Sequence, residues 1–393
     1  MHGGNWSAYQ RQTGSMPLDF SANISPLGVP EKVKQAIRQA AEEVCRYPDP
    51  LCRDLREAIG EAEQLPPEYV FCGNGAADLI WRLASVLRNG TVLLPVPAFT
   101  EYRAALEAHA CQVQPYVLRE EDEFRLTERF LPFLQQQASG ETAGASGPLC
   151  GGREYARNAV FLCEPGNPSG VTTEPVLLQK ILEYCAQTGR ILVLDECFLD
   201  FLENPEEHTM KRFLKEFPNL ILLRALTKSY AMAGVRLGYC LCSDPQLLDR
   251  MRQSGQPWNV SHIAQQAGIA ALHDKEYLEK VRQLIPRERK KLKGGLEKLG
   301  FHVIPGEANF LLFRAARKKV EDSGVREDKT PVPYEGGRLA QDLYEKGILI
   351  RDCADYEGLC RGWYRICVRM EEENSLFLQI LEQVMQTGLW LFA

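Results

Sequence analysis

The sequence of 393 residues lacks any hydrophobic run long enough to cross a membrane. Its longest apolar stretches, such as residues 159–163 and 191–194, are far shorter than the roughly 18 residues that a transmembrane helix needs. The opening residues 1–4 do not have the pattern of a signal peptide. We therefore expect a soluble, cytoplasmic protein.

An excess of positive charge is also missing. Lys and Arg number 46 against 52 Asp and Glu, which gives a net charge of −6. This balance does not favour nucleic acid or an anionic membrane as the main partner. Apolar residues make up 45% of the chain and charged residues 25%, which is typical of a folded protein and not of a disordered one.

The sequence has no pattern of metal ligands. Its six histidines are scattered, and no Cys-x-x-Cys pair is accompanied by a second such pair or by paired histidines. The 13 cysteines are spread over a long chain and several lie inside apolar runs, so most are predicted to be reduced core residues. No metal site is predicted.

Short apolar runs alternate with helical patterns in the first part of the chain. Residues 92–94, 159–162, 191–194 and 220–223 are continuous apolar runs, which strands have when both of their faces are buried. Residues 175–189 have apolar side chains at helical spacing between a starting proline and a final glycine, which predicts a helix connecting two parallel strands. The prediction is an α/β fold with a mainly parallel sheet.

The pattern changes after about residue 250. Residues 274–299 form a long amphipathic helical pattern, and short strand-like runs follow near residues 309–313 and 364–368. These elements predict a second, smaller α+β domain.

Domain boundaries and insertions follow from these changes. The predicted divisions are an N-terminal arm and small-domain segment at residues 1–40, a large domain at 41–250 and a small C-terminal domain at 251–393. Residues 135–157 are rich in small polar residues and residues 315–338 are heavily charged, so both are predicted to be solvated surface insertions without chemistry.

Polar segments follow several of the predicted strands. Residues 72–78 form a glycine-rich junction before a helical pattern at residues 79–87, where backbone N–H groups can bind an anion such as phosphate. Standing alone, this segment would be interpreted as a turn without a ligand. However, Asn167, Asp195 and Lys228 also follow strand-like runs, and such loops converge at one edge of a parallel sheet.

These residue types suit one cofactor. A Lys amine can form a Schiff base with an aldehyde, and an Asp carboxylate can keep a pyridine nitrogen protonated. A phosphate site, a Schiff-base lysine and such an aspartate are the groups that pyridoxal 5′-phosphate requires.

The order and spacing of these segments, from Phe20 to Met370, resemble those of fold-type I pyridoxal-phosphate enzymes of the class I and II aminotransferase family. The resemblance implies a large domain with a mainly parallel seven-stranded sheet and a smaller α+β domain. It also implies a homodimer with the active site at the subunit interface. A non-catalytic regulator on the same fold would need a DNA-binding module, for which no residues are left.

The same resemblance implies roles for individual residues. Lys228 would carry the cofactor, Asp195 would pair with the pyridine nitrogen and Asn167 would donate to the 3′-oxygen of the ring. The expected phosphate contacts are Gly75, Ala76, Thr227 and Arg236. Phe99 would stack on the ring and Tyr47 would reach across from a partner subunit, although a buried Phe is more often plain core and Tyr47 could be a structural turn residue.

Other segments resemble members of the family that act on phosphorylated substrates. Residues 2–5 and 19–28 are similar to decarboxylases, and Phe198 stands where transaminases usually have Tyr. The resemblance implies decarboxylation of L-threonine O-3-phosphate to (R)-1-aminopropan-2-ol O-phosphate and CO2, in cobalamin biosynthesis. Transamination of histidinol phosphate and decarboxylation of L-serine O-phosphate remain alternatives.

The residues expected to contact the phosphorylated amino acid are His2, Gly3, Asn23, Asn167, Arg351 and Arg365. Two arginines at the ends of strand-like runs suit bidentate binding of phosphate and carboxylate, although each could be an ordinary surface charge. His2 could instead belong to a disordered terminus, and Asn23 could merely cap a turn.

Overall fold

A computed structural model describes residues 3–139, 158–315 and 338–387. Its helices are α1 (Trp6–Thr13), α2 (Glu31–Ala41), α3 (Arg53–Glu63), α4 (Gly75–Val86), α5 (Thr100–Ala108), α6 (Phe130–Ser139), α7 (Pro175–Gln187), α8 (Pro205–His208), α9 (Leu226–Ser229), α10 (Pro245–Gln253), α11 (His262–Leu272), α12 (Lys275–Lys298), α13 (Leu339–Glu345) and α14 (Glu371–Thr387). Its strands are β1 (Leu18–Asp19), β2 (Val70–Gly73), β3 (Thr91–Val96), β4 (Gln112–Val117), β5 (Ala159–Cys163), β6 (Ile191–Asp195), β7 (Leu220–Ala225), β8 (Gly238–Leu241), β9 (Phe301–Val303), β10 (Phe310–Ala315), β11 (Ile348–Leu349), β12 (Arg351–Asp352) and β13 (Trp363–Cys367).

The largest sheet of the described residues has seven strands in the order β2-β8-β7-β6-β5-β3-β4. Strand β8 runs antiparallel to β2 and β7, and the other neighbouring strands run parallel. The four apolar runs lie in β3, β5, β6 and β7, which are buried along almost their whole length. The prediction of a mainly parallel seven-stranded sheet is confirmed.

The connecting helix α7 lies where the apolar spacing predicts it. Leu177, Ile181 and Cys185 are buried, so this face of α7 packs on the sheet and joins the parallel strands β5 and β6. Burying such a side chain contributes roughly 1.5–3 kcal/mol, which explains why the spacing predicts the helix well.

Two predicted boundaries were wrong. Helix α4 begins at Gly75 and not at residue 79, because the side chain of Asp78 accepts a hydrogen bond from the Asn74 N–H at 3.1 Å and caps the first turn. The first predicted insertion does not begin at residue 135, because α6 continues to Ser139. Phe130 and Leu134 are fully buried and hold this helix on the core. Residues 140–157 and 316–337 of the predicted insertions lie outside the described residues.

A smaller sheet lies in the C-terminal part of the chain. Its strands are antiparallel in the order β12-β13-β10-β9, and α12 packs on β9 and on α14. The N-terminal strand β1 pairs in parallel with β11, so the start of the described chain lies against this C-terminal part. The smaller α+β unit is confirmed, whereas the exact boundaries at residues 40 and 250 stay a prediction.

Most of the cysteines lie inside the protein, as predicted. Nine of the twelve cysteines in the described residues are buried, and none of the twelve forms a disulfide. In the part of the chain that the structure describes, no helix is long and apolar enough to cross a membrane. The prediction of a cytoplasmic location stays a prediction.

Candidate active site

The carboxyl ends of neighbouring strands bring three of the predicted residues to one edge of the large sheet. Asp195 is the last residue of β6, Asn167 follows β5 and Lys228 lies in the short helix α9 directly after β7. These strands are parallel neighbours in register, with Cys163 opposite Asp195 and Asp195 opposite Leu223. The crevice predicted from the order of these segments is therefore present in the fold.

Lys228 is half-buried at this edge. Burial lowers the pKa of its amine below the ordinary value, and the charges of Arg365 and Arg236 lower it further, against the opposing effects of Cys197 and Asp195. A lowered pKa makes the neutral, nucleophilic amine available at lower pH than for a lysine in water. The amine therefore suits bond formation with an aldehyde.

Asp195 is held in a fixed orientation by two donors. The Tyr102 hydroxyl donates to Oδ2 at 2.5 Å, and the Cys197 N–H donates to Oδ1 at 3.0 Å. Burial and the carboxylate of Asp195 raise the pKa of Tyr102 well above the ordinary value, so its hydroxyl keeps the proton that it donates. A buried, oriented carboxylate is the group that a protonated pyridine nitrogen needs.

The glycine-rich junction forms a cradle at the N-terminus of α4. Gly75 has a φ of 78°, and a β-carbon there would lie 2.9 Å from Nη2 of Arg236. The guanidinium of Arg236 thus lies beside free N–H groups of the first helical turn, and the buried side chain of Thr227 is on the neighbouring α9. The residues present fit the phosphate of the predicted cofactor.

The two predicted aromatic contacts differ in their surroundings. Phe99 is half-buried directly before α5 and meets the Tyr102 ring edge to face at 5.6 Å between centroids. Tyr47 is 82% exposed and packs on Trp258 at 5.0 Å between centroids. The neighbouring Asn259 donates to Oδ2 of Asp78 at 2.8 Å, which ties this aromatic pair to the cradle.

Arg365 connects three parts of the chain inside the crevice. It donates hydrogen bonds to Oδ1 of Asn167, to the Tyr356 hydroxyl at 3.3 Å and to the Ser21 carbonyl at 3.2 Å. Because Oδ1 of Asn167 accepts this bond, the amide NH2 of Asn167 is left to donate elsewhere, as its predicted role requires. Arg365 lies in the middle of β13 and not at the end of a run as predicted.

Arg351 lies beside Arg365 on the neighbouring strand. The two residues are directly paired across β12 and β13, so their side chains leave the same face of the sheet. Each is only 6% exposed. Arg351 donates from Nη2 to both carboxylate oxygens of Asp355, each at 2.8 Å. Two buried guanidinium groups therefore lie side by side on one face of the small sheet.

The N-terminal segment, residues 3–25, lies against Lys228 on another side of the crevice. The Ser25 N–H donates to the carbonyl of Lys228 at 3.0 Å, and the Gly4 N–H donates to Oγ of Ser21 at 2.7 Å. A β-carbon on Gly3 would lie 2.1 Å from the Ser21 carbonyl oxygen, so only glycine fits there. Within the described residues, Oδ1 of Asn23 is buried without a hydrogen-bond partner, as expected for a group that binds a ligand. His2 lies outside the described residues.

Sequence reasoning missed Tyr102, Ser21, Tyr356 and Asp355. Tyr102 follows Phe99 by three residues in a helical pattern, which is the spacing of side chains on one face. Asp355 follows Arg351 by four residues. Both spacings are visible in the sequence, but neither shows that the side chains meet in the crevice. No group of three or more His, Cys, Asp or Glu that could hold a metal occurs in residues 3–139, 158–315 and 338–387.

Comparison with known proteins decides the family. The family model for aminotransferase class I and II matches residues 15–379. The chain belongs to this family. Its fold is that of the fold-type I pyridoxal-phosphate enzymes, and its cofactor is pyridoxal 5′-phosphate.

Several class I and II aminotransferase relatives cover almost the whole chain. The threonine-phosphate decarboxylase of Salmonella typhimurium is 34% identical over 99% of this chain and 97% of its own length. The adenosylcobalamin biosynthesis bifunctional protein CobDQ of Leptospira interrogans is 30% identical over 98% of this chain, which matches 41% of that protein. The solved histidinol-phosphate aminotransferase of Clostridium acetobutylicum has a TM-score of 0.79 at 25% identity and covers 94% of this chain and 100% of its own.

Proposed function

We propose that the protein decarboxylates L-threonine O-3-phosphate to (R)-1-aminopropan-2-ol O-phosphate and CO2, as a step of cobalamin biosynthesis. The observation that carries this proposal is the pair Arg351 and Arg365, two buried guanidinium groups on one face of the small sheet, of which Arg365 donates to Asn167. A substrate with a phosphate and a carboxylate offers one anion to each. The 34% identity to a threonine-phosphate decarboxylase supports the same substrate.

The chemistry is divided between the cofactor and the protein. When bound, pyridoxal 5′-phosphate accepts the electron pair that remains on the α-carbon after a bond to that carbon breaks. Asp195 would keep a proton on the pyridine nitrogen, Arg236 and the N-terminus of α4 would bind the phosphate, and Phe99 would cover the ring. Nζ of Lys228 would hold the cofactor and would supply the basic group that returns a proton to the α-carbon.

The outcome of the reaction depends on how the substrate is oriented. The bound cofactor could activate either the bond to the carboxylate or the bond to hydrogen, whichever the protein holds in the reactive orientation. Arg365 donates to Asn167, and Arg351 lies directly opposite Arg365 on the neighbouring strand. Holding the phosphate and the carboxylate on these arginines fixes the rotation about the α-carbon.

We also propose that the active enzyme is a homodimer in which Tyr47 completes the site of the partner subunit. Tyr47 and Trp258 form an aromatic pair whose members are 82% and 47% exposed. Aromatic side chains of this kind are enriched at protein interfaces. The pair is linked through Asn259 and Asp78 to the phosphate cradle, so a partner that covered it would lie beside the cofactor.

A second candidate function is transamination of histidinol phosphate. The likeness to a histidinol-phosphate aminotransferase, with a TM-score of 0.79, supports it. The surroundings of Phe198 favour the decarboxylase instead. Phe198 has no hydroxyl, whereas the resemblance expects the tyrosine of a transaminase at this position. Its side chain is 6% exposed and packs against Phe310 at 5.0 Å between ring centroids. L-Serine O-phosphate is the competing substrate, because one methyl group changes binding by only about 1–3 kcal/mol.

The proposal is tested by comparing substrates on the purified, cofactor-loaded protein. We expect CO2 release from L-threonine O-3-phosphate without any keto acid, with a higher kcat/KM than for L-serine O-phosphate. Lys228→Ala is expected to lose turnover by several orders of magnitude and to lose the absorbance of lysine-bound cofactor. Amino transfer from histidinol phosphate to 2-oxoglutarate, without CO2 release from either phosphoamino acid, would overturn the proposal.

A further inference from the structure

The buried arginine assigned to the substrate already has an anionic partner. Nη2 of Arg351 donates to both carboxylate oxygens of Asp355, each at 2.8 Å, and the guanidinium lies over the ring of Tyr356 at 5.1 Å. This arrangement resembles the way an arginine binds a phosphate or a carboxylate ligand. Asp355 therefore holds Arg351 in the way that a substrate anion would.

The two partners differ strongly in their exposure. The side chain of Arg351 is 7% exposed, whereas that of Asp355 is 44% exposed. The turn that carries Asp355 is fixed on both sides, since Cys353 and Tyr356 are buried and the Tyr356 N–H donates to the Cys353 carbonyl at 3.0 Å. Asp355 is thus the solvent-accessible partner of the contact, on a backbone turn that is itself fixed.

We propose that Asp355 competes with the substrate phosphate for Arg351 and so sets the affinity of the site for anions. This inference rests on the proposed function, which assigns Arg351 to the substrate. A ligand anion must displace a carboxylate of charge −1 that is attached to the chain. The free energy needed to break this contact is the same whichever anion binds, so the contact lowers the affinity for every anion by the same factor.

The charge of Asp355 supports this role. Partial burial would raise the pKa of its carboxyl, but the hydrogen bonds and positive charges around it, those of Arg351 first, outweigh that effect and hold the pKa below the ordinary value. The competitor consequently stays ionised wherever the substrate phosphate is a dianion. Asp355 therefore opposes anion binding to the same extent over that pH range.

A competing role and a purely positioning role predict opposite effects. If Asp355 only oriented Arg351, its neutralisation would loosen the guanidinium and weaken the binding of anions. If Asp355 competes, the substitution Asp355→Asn removes the competitor and strengthens their binding. Asn is nearly the same size as Asp, and the side chain is exposed, so the change leaves the fold intact.

The chain offers a matched control two residues away. Glu357 is 43% exposed on the same loop and forms its ion pair with Arg103, not with Arg351. Glu357→Gln removes one negative charge from the loop without touching the proposed contact. Any general effect of net charge on anion binding therefore shows equally in both variants.

The experiment measures anion binding to the cofactor-loaded enzyme by titration calorimetry at constant ionic strength. Because bound pyridoxal 5′-phosphate occupies the phosphate site at the N-terminus of α4, added inorganic phosphate measures binding at the arginines assigned to the substrate. Inorganic phosphate probes a partly dianionic ligand, and methanesulfonate probes a tetrahedral anion that is only singly charged. For Asp355→Asn we expect phosphate binding to strengthen on the order of threefold to tenfold, the scale of one partly exposed ion pair.

Methanesulfonate is expected to gain by a similar factor, so that the preference for phosphate over methanesulfonate stays unchanged in Asp355→Asn. Glu357→Gln is expected to change both affinities by less than about twofold, as for a screened surface charge. Unchanged or weaker phosphate binding in Asp355→Asn, or no measurable binding by any of the proteins, would overturn the competing role.

Steady-state kinetics separates this inference from the proposed function. With L-threonine O-3-phosphate, Asp355→Asn is expected to lower KM and leave kcat unchanged. If that compound is not decarboxylated but Asp355→Asn binds phosphate more tightly, the proposed reaction fails and the role of Asp355 stands. If decarboxylation occurs and Asp355→Asn raises KM, the role of Asp355 fails and the proposed reaction stands.

Discussion

The hydroxyl of Tyr102 donates a hydrogen bond of 2.5 Å to Oδ2 of Asp195, and both side chains are buried. Tyr102 lies on α5 and Asp195 at the end of β6, so the contact joins two separate elements. Together with the Cys197 N–H on Oδ1, it holds the carboxylate plane in one orientation. The direction in which Asp195 can meet a pyridine nitrogen is therefore set by Tyr102.

We predict that Tyr102→Phe weakens the enzyme without destroying the fold. The substitution leaves Oδ2 of a buried carboxylate without this donor, and a hydrogen bond to a charged group contributes about 1.5–3 kcal/mol. The dissociation of cofactor should therefore speed up, and kcat should fall, each by roughly one to two orders of magnitude. Stopped-flow absorbance and steady-state assays measure the two quantities.

Tyr116→Phe is the matched control for this prediction. Tyr116 lies on the edge strand β4 and packs on Phe130 and Phe133, so it loses the same hydroxyl away from Asp195. It should bind cofactor and turn over substrate as the unmodified protein does. Equal behaviour of the two variants would mean that Tyr102 has no specific effect on Asp195.

The lowered pKa of Lys228 predicts how fast the cofactor-free protein captures pyridoxal 5′-phosphate. Only the neutral amine attacks an aldehyde, and burial together with Arg365 and Arg236 favours the neutral form. The capture rate should rise with pH and level off below the ordinary lysine pKa of 10.5. Rapid-mixing absorbance over a pH series measures the midpoint, with N-acetyl-lysine methylamide as the reference amine. A midpoint equal to that of the reference would contradict the assigned environment of Lys228.

Glu164 predicts a pH dependence of stability. Burial raises the pKa of this carboxyl to about 7, although hydrogen bonds from Thr173 partly oppose the shift. The unfolded chain titrates near the ordinary value of 4.5, so between these two pH values the folded protein binds a proton that the unfolded chain has released. The contribution of Glu164 to the free energy of unfolding is therefore present below about pH 4.5 and is lost as the pH rises to about 7.

Glu164→Gln removes this titration and keeps groups that can bond to Thr173. At neutral pH and above, the variant should be more stable than the unmodified protein, by at most on the order of 3 kcal/mol. Denaturant titrations at several pH values measure the difference, and Glu174→Gln, at an exposed position nearby, controls for the loss of one charge. A difference that does not change between pH 4.5 and 7 would show that Glu164 does not titrate there.

Mixed dimers test the proposed role of Tyr47. Lys228→Ala and Tyr47→Ala subunits should each form weakly active homodimers or inactive ones. If Tyr47 serves the partner's site, a mixed dimer has one site with both substitutions and one intact site, so random mixing restores about one quarter of the sites. Activity after refolding the two variants together measures this. No recovery above the separate variants would place Tyr47 in its own subunit's site or outside any site.

The sequence predicts the large sheet well because its strands are buried on both faces. Continuous apolar runs such as residues 191–194 of β6 have few alternatives to a central strand. Helix boundaries were predicted less well. The start of α4 depends on a bond between Asp78 and the Asn74 N–H, and the extent of α6 depends on burial of Leu134, neither of which composition reports.

The residues of the candidate site also differ in how well the sequence predicts them. Asn167, Asp195 and Lys228 could be predicted, because parallel strands bring their carboxyl ends together whatever the loops contain. Tyr102 could not, because its partner Asp195 is 93 residues away along the chain. Arg351 and Asp355 are close in the sequence, but the sequence does not show that the side chain of Arg351 is buried and that of Asp355 is exposed.

Decarboxylation requires that the bond between the α-carbon and the carboxylate break in this crevice. It is tested with L-threonine O-3-phosphate that has an isotope-labelled carboxyl group, incubated with the cofactor-loaded protein in D2O without a keto acid. We expect the label to leave as CO2 and bicarbonate, and the product amino alcohol phosphate to carry one deuterium on the former α-carbon. A label that stays in an organic acid, with the amino group transferred to the cofactor, would contradict this expectation.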